Sequence, residues 1–213
     1  LFVTLAQPET PTEFVDRFLV TAKAYDVPVV IVVNKVDLLP ADDEYLQGYC
    51  YLYRSLGYEV ITCSVVTGQG MALLQEKIAG KVSLLAGNSG VGKSSFLNAI
   101  DASLEVKTGA ISKVHQTGMH TTTYAEMFAV AGGRMIDIPG IKGFGLIDME
   151  AAEIGHYFPE IFKHGANCKF ADCLHRNEPD CAVRKAVETH LISQSRYQSY
   201  LSILEDISAG KYR

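Results

Sequence analysis

The sequence predicts an α/β chain, with a mainly parallel sheet covered by helices on both faces over residues 1–148 and a small helical unit over 149–213. Three observations lead there. β-rich apolar runs alternate with helical patterns through the first part, as a parallel sheet with crossover helices requires. VSLLA at 82–86 runs into GNSGVGKS and then SSFLNAI, which reads as strand, glycine-rich loop and helix. After about Asp148 the strand patterns stop, and Cys168, Cys173 and Cys181 gather around His175.

The expected strands, in chain order, are 1–5, 29–33, 60–63, 82–86, 124–130 and 134–138, each a short run rich in β-branched or apolar residues. The helices expected between them are 12–25, 43–56, 71–79 and Lys93–Ile100. In the second of these, Leu46, Tyr49, Tyr53 and Leu56 recur at helical spacing, so the tyrosines read as a packed face and not as a stacking platform. The tail is expected to hold helices over 150–164, 182–193 and 196–207. A unit this small commonly needs a metal or another staple to stay folded.

Composition narrows the class. With 48% hydrophobic and 20% charged residues the chain is an ordinary globular one, and its net charge of −5 is no nucleic-acid footprint. Among the basic residues of the tail, Lys163, Lys169, Arg176, Arg184 and Lys185 gather near the cysteine cluster, and a solvated face explains them as cheaply as an RNA contact. No apolar run approaches the roughly 20 residues that span a bilayer, so no membrane partner is expected. Five cysteines without an export signal argue against a disulfide framework and for the cytoplasm. The chain opens at Leu1, inside a strand pattern and without an initiator Met, so the expectation is that a domain precedes it.

Gly87-Asn88-Ser89-Gly90-Val91-Gly92-Lys93-Ser94 matches the phosphate-loop pattern G-x-x-x-x-G-K-[ST] at every fixed position. Its glycines let backbone N–H groups turn inward around a β-phosphate at the positive end of the helix. Lys93 would neutralise the β- and γ-phosphates, and the Ser94 hydroxyl would ligate Mg²⁺, with Ser95 next in the same turn.

A second motif, Asn34-Lys35-Val36-Asp37, ends the strand VVIVV. Guanine presents N1–H and its exocyclic amine as adjacent donors, and the Asp37 carboxylate can accept both; adenine would leave it unpaired. Asn34 would brace the base corner, the Lys35 stem would pack over the ring, and Ser64 and Val65 would form a second base-contacting loop. Downstream of the phosphate loop come Thr121-Thr122-Thr123 and then Asp137-Ile138-Pro139-Gly140. Asp137 would hold a Mg²⁺ water, and the Gly140 N–H would meet the γ-phosphate. Base-reading parts thus precede phosphate-reading parts, each group keeping its internal order. That is a circular permutation, which a fold with neighbouring termini tolerates.

The joint pattern NKVDLL, GNSGVGKSSFLN, GMHTTT, DIPGIKGFGL, HYFPEI, the cysteine cluster and SRYQSYLSIL resembles the circularly permuted GTPases of the RsgA/YjeQ type, over essentially the whole chain. The resemblance implies a P-loop GTPase domain, a C-terminal zinc-binding domain and an N-terminal OB-fold lacking here. It also implies a partner, the small ribosomal subunit and its rRNA, bound in the GTP form and left after hydrolysis. The protein is expected to act as a monomer.

In Ras-like GTPases a Gln after D-x-x-G orients the attacking water. Here that position is Ile141, so the expected water-positioning group is His120, to which the resemblance also points. Met119 replaces the arginine that the family places before this histidine. Thr122 is the expected switch threonine on Mg²⁺, with Thr121 beside it, and intrinsic turnover is expected to be low until a partner orders these segments. His115, His156, His164 and His190 read as ordinary histidines.

Cys168-x4-Cys173-x-His175-x5-Cys181 offers three thiolates and an imidazole, a closed soft set suited to one tetrahedral structural Zn²⁺. The leading function is therefore a GTP hydrolase in small-subunit assembly. An RNA- or ribosome-binding module using GTP as a structural ligand is the second reading, and a P-loop ATPase or kinase with an accidental NKVD is the third.

Overall fold

The computed structural model describes residues 1–104, 126–137 and 149–210. Within it, β1 (Phe2–Thr4), β2 (Val30–Asn34) and β3 (Glu59–Thr62) form a parallel sheet in the order β1-β2-β3. The second sheet has the order β4-β6-β5, with β4 (Val82–Leu85) parallel to β6 (Gly133–Asp137) and β5 (Glu126–Val130) antiparallel to it. The Phe2 N–H donates to the Ala86 carbonyl at 2.7 Å, so β1 meets the chain leaving β4.

Register then decides where the motifs fall. Thr4 pairs with Asn34, Val33 with Thr62, and Leu85 with Asp137. The carboxyl ends of the parallel strands therefore deliver NKVD, the Ser64 loop, the phosphate loop and Asp137 to one end of the sheets, where ligands of such folds bind. Behind them lies a core that includes Phe2, Val32, Ile61, Leu85, Val91, Phe96, Leu97 and Met135. Leu74 and Ile78 of α3 (Met71–Ile78) close it, and the Phe2 and Phe96 rings meet at 4.7 Å.

The compact units interleave along the chain. Segments 1–10, 30–50 and 59–142 group together; 11–29 and 51–58 group with the C-terminal part. α1 (Thr12–Ala24) thus belongs with the tail helices, and it is joined to α8 (Gln194–Ser208) by Arg17, which reaches Asp206 at 2.6 Å and Ser202 at 2.9 Å. The fully buried Arg196 of α8 donates to Asp16 at 2.7 Å and to both oxygens of Glu160 at 2.7 and 3.3 Å. Its guanidinium lies 4.4 Å from the centre of the Phe158 ring. Burial opposes its charge, but the two carboxylates raise its pKa nonetheless. Val20, Ile154, Phe158, Ile161, Val183, Tyr200 and Ile203 pack around this knot.

Two tail expectations need correction. The helix expected over 150–164 is divided: α5 (Ala151–Ile154) runs into a 3₁₀ turn over Gly155–Tyr157, and α6 (Pro159–Gly165) begins afresh. Proline holds the preceding residue out of the helical region and suits a first helical position; Phe158 is accordingly extended. The helix expected over 182–193 stops at Glu188 in α7 (Ala182–Glu188), because His190 turns left-handed at φ 59° and the Leu191 and Ile192 N–H groups return to the Ala186 carbonyl. In α2 (Glu44–Ser55), Tyr49 and Tyr53 are buried, as the helical spacing implies. Among the described residues no helix is long and apolar enough to cross a membrane.

Candidate functional site

The phosphate loop joins β4 to α4 (Lys93–Ile100), and its shape depends on neighbours with no room for a side chain. A Cβ at Gly87 would lie 2.3 Å from the Phe2 carbonyl oxygen, and one at Gly92 would lie 2.3 Å from Asn34 Nδ2. Both residues have positive φ, 148° and 97°. The glycines therefore serve close approach as well as turning.

Asn34 is the hinge of the arrangement. It is 2% exposed, and its Nδ2 donates to the Val91 carbonyl at 2.9 Å. Its Oδ1 accepts from the Val65 N–H at 3.3 Å and from the Cys63 thiol at 3.4 Å. One amide thus ties the NKVD corner to the phosphate loop and to the loop after β3. That second loop is fixed by Ser64, whose hydroxyl accepts from the Thr67 N–H at 3.1 Å and whose own N–H donates to the Gln69 carbonyl at 3.0 Å. The Cys63 thiol is pushed up to about 12, chiefly by burial and further by the nearby Asp37 carboxylate, so it stays protonated. Asp37 itself is exposed on a 3₁₀ turn over Val36–Leu38, and Lys35 before it is left-handed at φ 63°.

Lys93 is buried at the start of α4, and its ammonium donates to the carbonyls of Gly87 at 2.7 Å and Asn88 at 2.8 Å. Burial lowers its pKa, while the charge of Asp137 at the end of β6 opposes that shift. Ser94 is partly exposed and Ser95 exposed in the first turn. The structure therefore brings together Asn34, Ser64, Val65, Val91, Lys93 and Asp137, with Asp37 presented to solvent beside them. His120, Thr121, Thr122, Gly140 and Ile141 lie outside the described residues.

In the tail, the ligand atoms of Cys168, Cys173, His175 and Cys181 all lie within 4.8 Å of one another. Sulfur separations of 3.9 Å (Cys168 to Cys181) and 3.8 Å (Cys173 to Cys181) are near the edge of a tetrahedron with zinc–sulfur bonds, about 3.8 Å. His175 Nδ1 stands 3.5 Å from Cys168 Sγ and 3.4 Å from Cys181 Sγ. The donor set and its spacing fit one tetrahedral soft-metal ion. Burial lowers the His175 pKa, which favours the neutral, ligating imidazole, against the opposing charge of Glu178.

Several supporting residues carry no sequence signature. Tyr197 donates to the His175 carbonyl at 2.6 Å and Tyr200 to the Leu174 carbonyl at 3.0 Å. Glu178 accepts from the N–H groups of Leu174 at 2.8 Å and Asn177 at 3.0 Å, which holds the ligand loop in shape. Around the nucleotide motifs, the loop after β1 contributes the Gln7 carbonyl, which accepts from Lys35.

Known proteins share this chain's sequence pattern and fold. The family model of the RsgA GTPase matches residues 1–147. A protein of Bacteroides fragilis named small ribosomal subunit biogenesis GTPase RsgA is 58% identical over 215 residues, covering all of this chain and 69% of its own length. One of Bacteroides thetaiotaomicron, named small ribosomal subunit biogenesis GTPase RsgA 2, is 56% identical with the same coverage. The crystal structure of YjeQ from Thermotoga maritima matches with a TM-score of 0.78 at 37% identity, over 96% of this chain and 69% of that one. YloQ, described as a circularly permuted GTPase, matches with a TM-score of 0.78 at 32% identity, over all of this chain and 68% of that one.

Proposed function

Because the chain belongs to the RsgA family of circularly permuted GTPases and so hydrolyses GTP, we propose that it acts in assembly of the small ribosomal subunit. It binds the subunit and its rRNA in the GTP form and leaves after hydrolysis, as a cytoplasmic monomer. The observation that carries the site reading is the Asn34–Val91 hydrogen bond, which couples a guanine-reading corner to a phosphate loop. Family membership sets aside the ATPase or kinase reading.

The division of labour follows the sequence: nucleotide chemistry over 1–148 and a zinc-stapled module over 149–213. Asp37 accepts both guanine donors, the Lys35 stem covers the ring, and Ser64 and Val65 line the base. The loop N–H groups of Gly87 to Gly92 surround the β-phosphate. Lys93 exchanges its two loop carbonyls for β- and γ-phosphate oxygens, a swap between acceptors that keeps its buried charge solvated throughout. Ser94 and Thr122 would hold Mg²⁺, with Asp137 acting through a water, and the ion would supply positive charge against the β- and γ-phosphates; Ser95 and the Gly140 N–H would serve the phosphates. His120 positions the attacking water, since the Ile141 side chain has no hydrogen-bonding group. Cys168, Cys173, His175 and Cys181 hold one zinc ion whose role is to staple the tail.

The test is GTP hydrolysis by the full-length protein with and without small ribosomal subunits. A low intrinsic rate that rises strongly with subunits is expected. Equal rates would sink the ribosomal reading while leaving the guanine site standing.

A further inference from the structure

The loop between β1 and α1 carries no recognisable motif, yet it touches both halves of the nucleotide site. The Lys35 ammonium donates to the Gln7 carbonyl. On the other side the Pro8 ring faces the phosphate loop: a Cβ at Gly90 would lie 3.3 Å from Pro8 Cδ and 3.6 Å from Cγ. The loop is closed on itself. The Thr10 N–H donates to the Thr4 carbonyl at 2.8 Å, the Thr4 N–H to Thr10 Oγ1 at 3.1 Å, and the Thr4 hydroxyl to the Pro8 carbonyl. Thr4 and Thr10 are 0% and 1% exposed, so these bonds are sheltered from water. Gln7 is held left-handed at φ 49°, a conformation that a non-glycine keeps only where its surroundings enforce it.

We propose that the loop over residues 6–10 is a positioning element for the guanine nucleotide, with the Gln7 carbonyl anchoring Lys35 and Pro8 seating the phosphate loop at Gly90. A carbonyl suits the first task, because it orients an ammonium without neutralising it as a carboxylate would. Lysine has many rotamers, and one already fixed before the ligand arrives loses less freedom on binding. The Pro8 ring leaves little room for a side chain at Gly90 and so limits how far the phosphate loop can move toward it. One small closed loop therefore spans the distance between the parts that read base and phosphate, beside the direct Asn34 link. The inference rests on the reading of Asn34 to Asp37 as the base site.

Titration of the full chain with fluorescent GDP tests it, using Lys35→Met, Pro8→Gly and the double variant. Each single change weakens binding roughly 3- to 10-fold, the scale of one hydrogen bond or its packing equivalent. If the loop acts as one brace, the double variant lies within about twofold of the weaker single. Thr4→Val, which removes the hydroxyl that holds Pro8, weakens binding similarly, and Thr4→Ser restores it. Additive losses in the double variant, or parental affinity in Pro8→Gly and Thr4→Val, would overturn the proposal. Should Thr4→Val fail to fold, the Pro8 and Lys35 cycle decides alone. Asp37→Asn separates the two readings: unchanged guanine preference there removes the base site itself, whereas a lost preference with inert loop variants removes only the brace.

Discussion

Asn34→Ala is the sharpest perturbation of the proposed site. The change deletes the 2.9 Å bond to the Val91 carbonyl and the 3.3 Å bond from the Val65 N–H, together with the weaker thiol contact of Cys63. At 2% exposure water cannot simply take the place of the amide. Each buried polar group left without its partner costs about 1–3 kcal/mol, so the pair costs roughly 2–6 kcal/mol. Part of this falls on folding. The rest falls on nucleotide binding, because the bonds hold the base corner and phosphate loop in register. If the Val91 bond alone is felt in the bound state, GDP affinity falls roughly 5- to 150-fold.

Asn34→Asp removes that donor while keeping an acceptor for Val65, and it also sets a buried carboxylate against the Val91 carbonyl, so its loss should be at least as large. Gly92→Ala attacks the same contact from the other side, placing a methyl group 2.3 Å from Asn34 Nδ2. The assay is fluorescent GDP titration with thermal melting in parallel, and the Asn34→Ala and Gly92→Ala losses should combine less than additively. If folded Asn34→Asp binds GDP within twofold of the parent, the coupling argument is refuted.

Three further outcomes follow from the same geometry. Asp37→Asn should shift preference from guanosine toward xanthosine nucleotides, and a competition titration that shows no such shift would exclude Asp37 as the base reader. Arg196→Met leaves Asp16 and Glu160 buried without their cation, which costs about 3–5 kcal/mol; chemical denaturation followed by circular dichroism should report it, and a change under 1 kcal/mol would show the knot to be unimportant. Chelation should unfold the tail while GDP binding mostly survives, with released zinc measured by a colorimetric dye; a tail whose circular dichroism is unmoved by complete metal removal contradicts the staple.

The strands were legible because they are short β-branched runs closed by motifs; the pairing of the strands was not, since register depends on which runs meet. The cysteine set was legible for a related reason, since residue types with so few other uses announce themselves at any spacing. Arg196, Asp16 and Glu160 were not. Each reads alone as a surface charge, and the sequence holds no sign that distant helices will bury them together. Gln7 was hidden more deeply: it contributes a backbone carbonyl, which every residue has. The break at Phe158 was a different failure, for Pro159 stood in plain view and the helical periodicity around it was allowed to outweigh it.

The order of motifs, puzzling in one dimension, becomes simple in three. α3 ends at Ile78 and β4 begins at Val82, so residues 79–81 carry the chain from the base-reading half to the phosphate-reading half. This link lies at the amino ends of β4 and β6, where the Gly80 N–H donates to the Gly132 carbonyl and the Arg134 N–H to the Lys81 carbonyl. The nucleotide motifs sit at the opposite, carboxyl ends. Rejoining the chain there changes the order of the elements without touching the contact that matters, because Asn34 still meets Val91 across the meeting point of the two sheets. A join at the carboxyl ends would have run a linker through the loops proposed to bind the nucleotide. A join away from the motifs therefore lets the proposed guanine corner precede the phosphate loop and still lie against it, through the Asn34–Val91 bond.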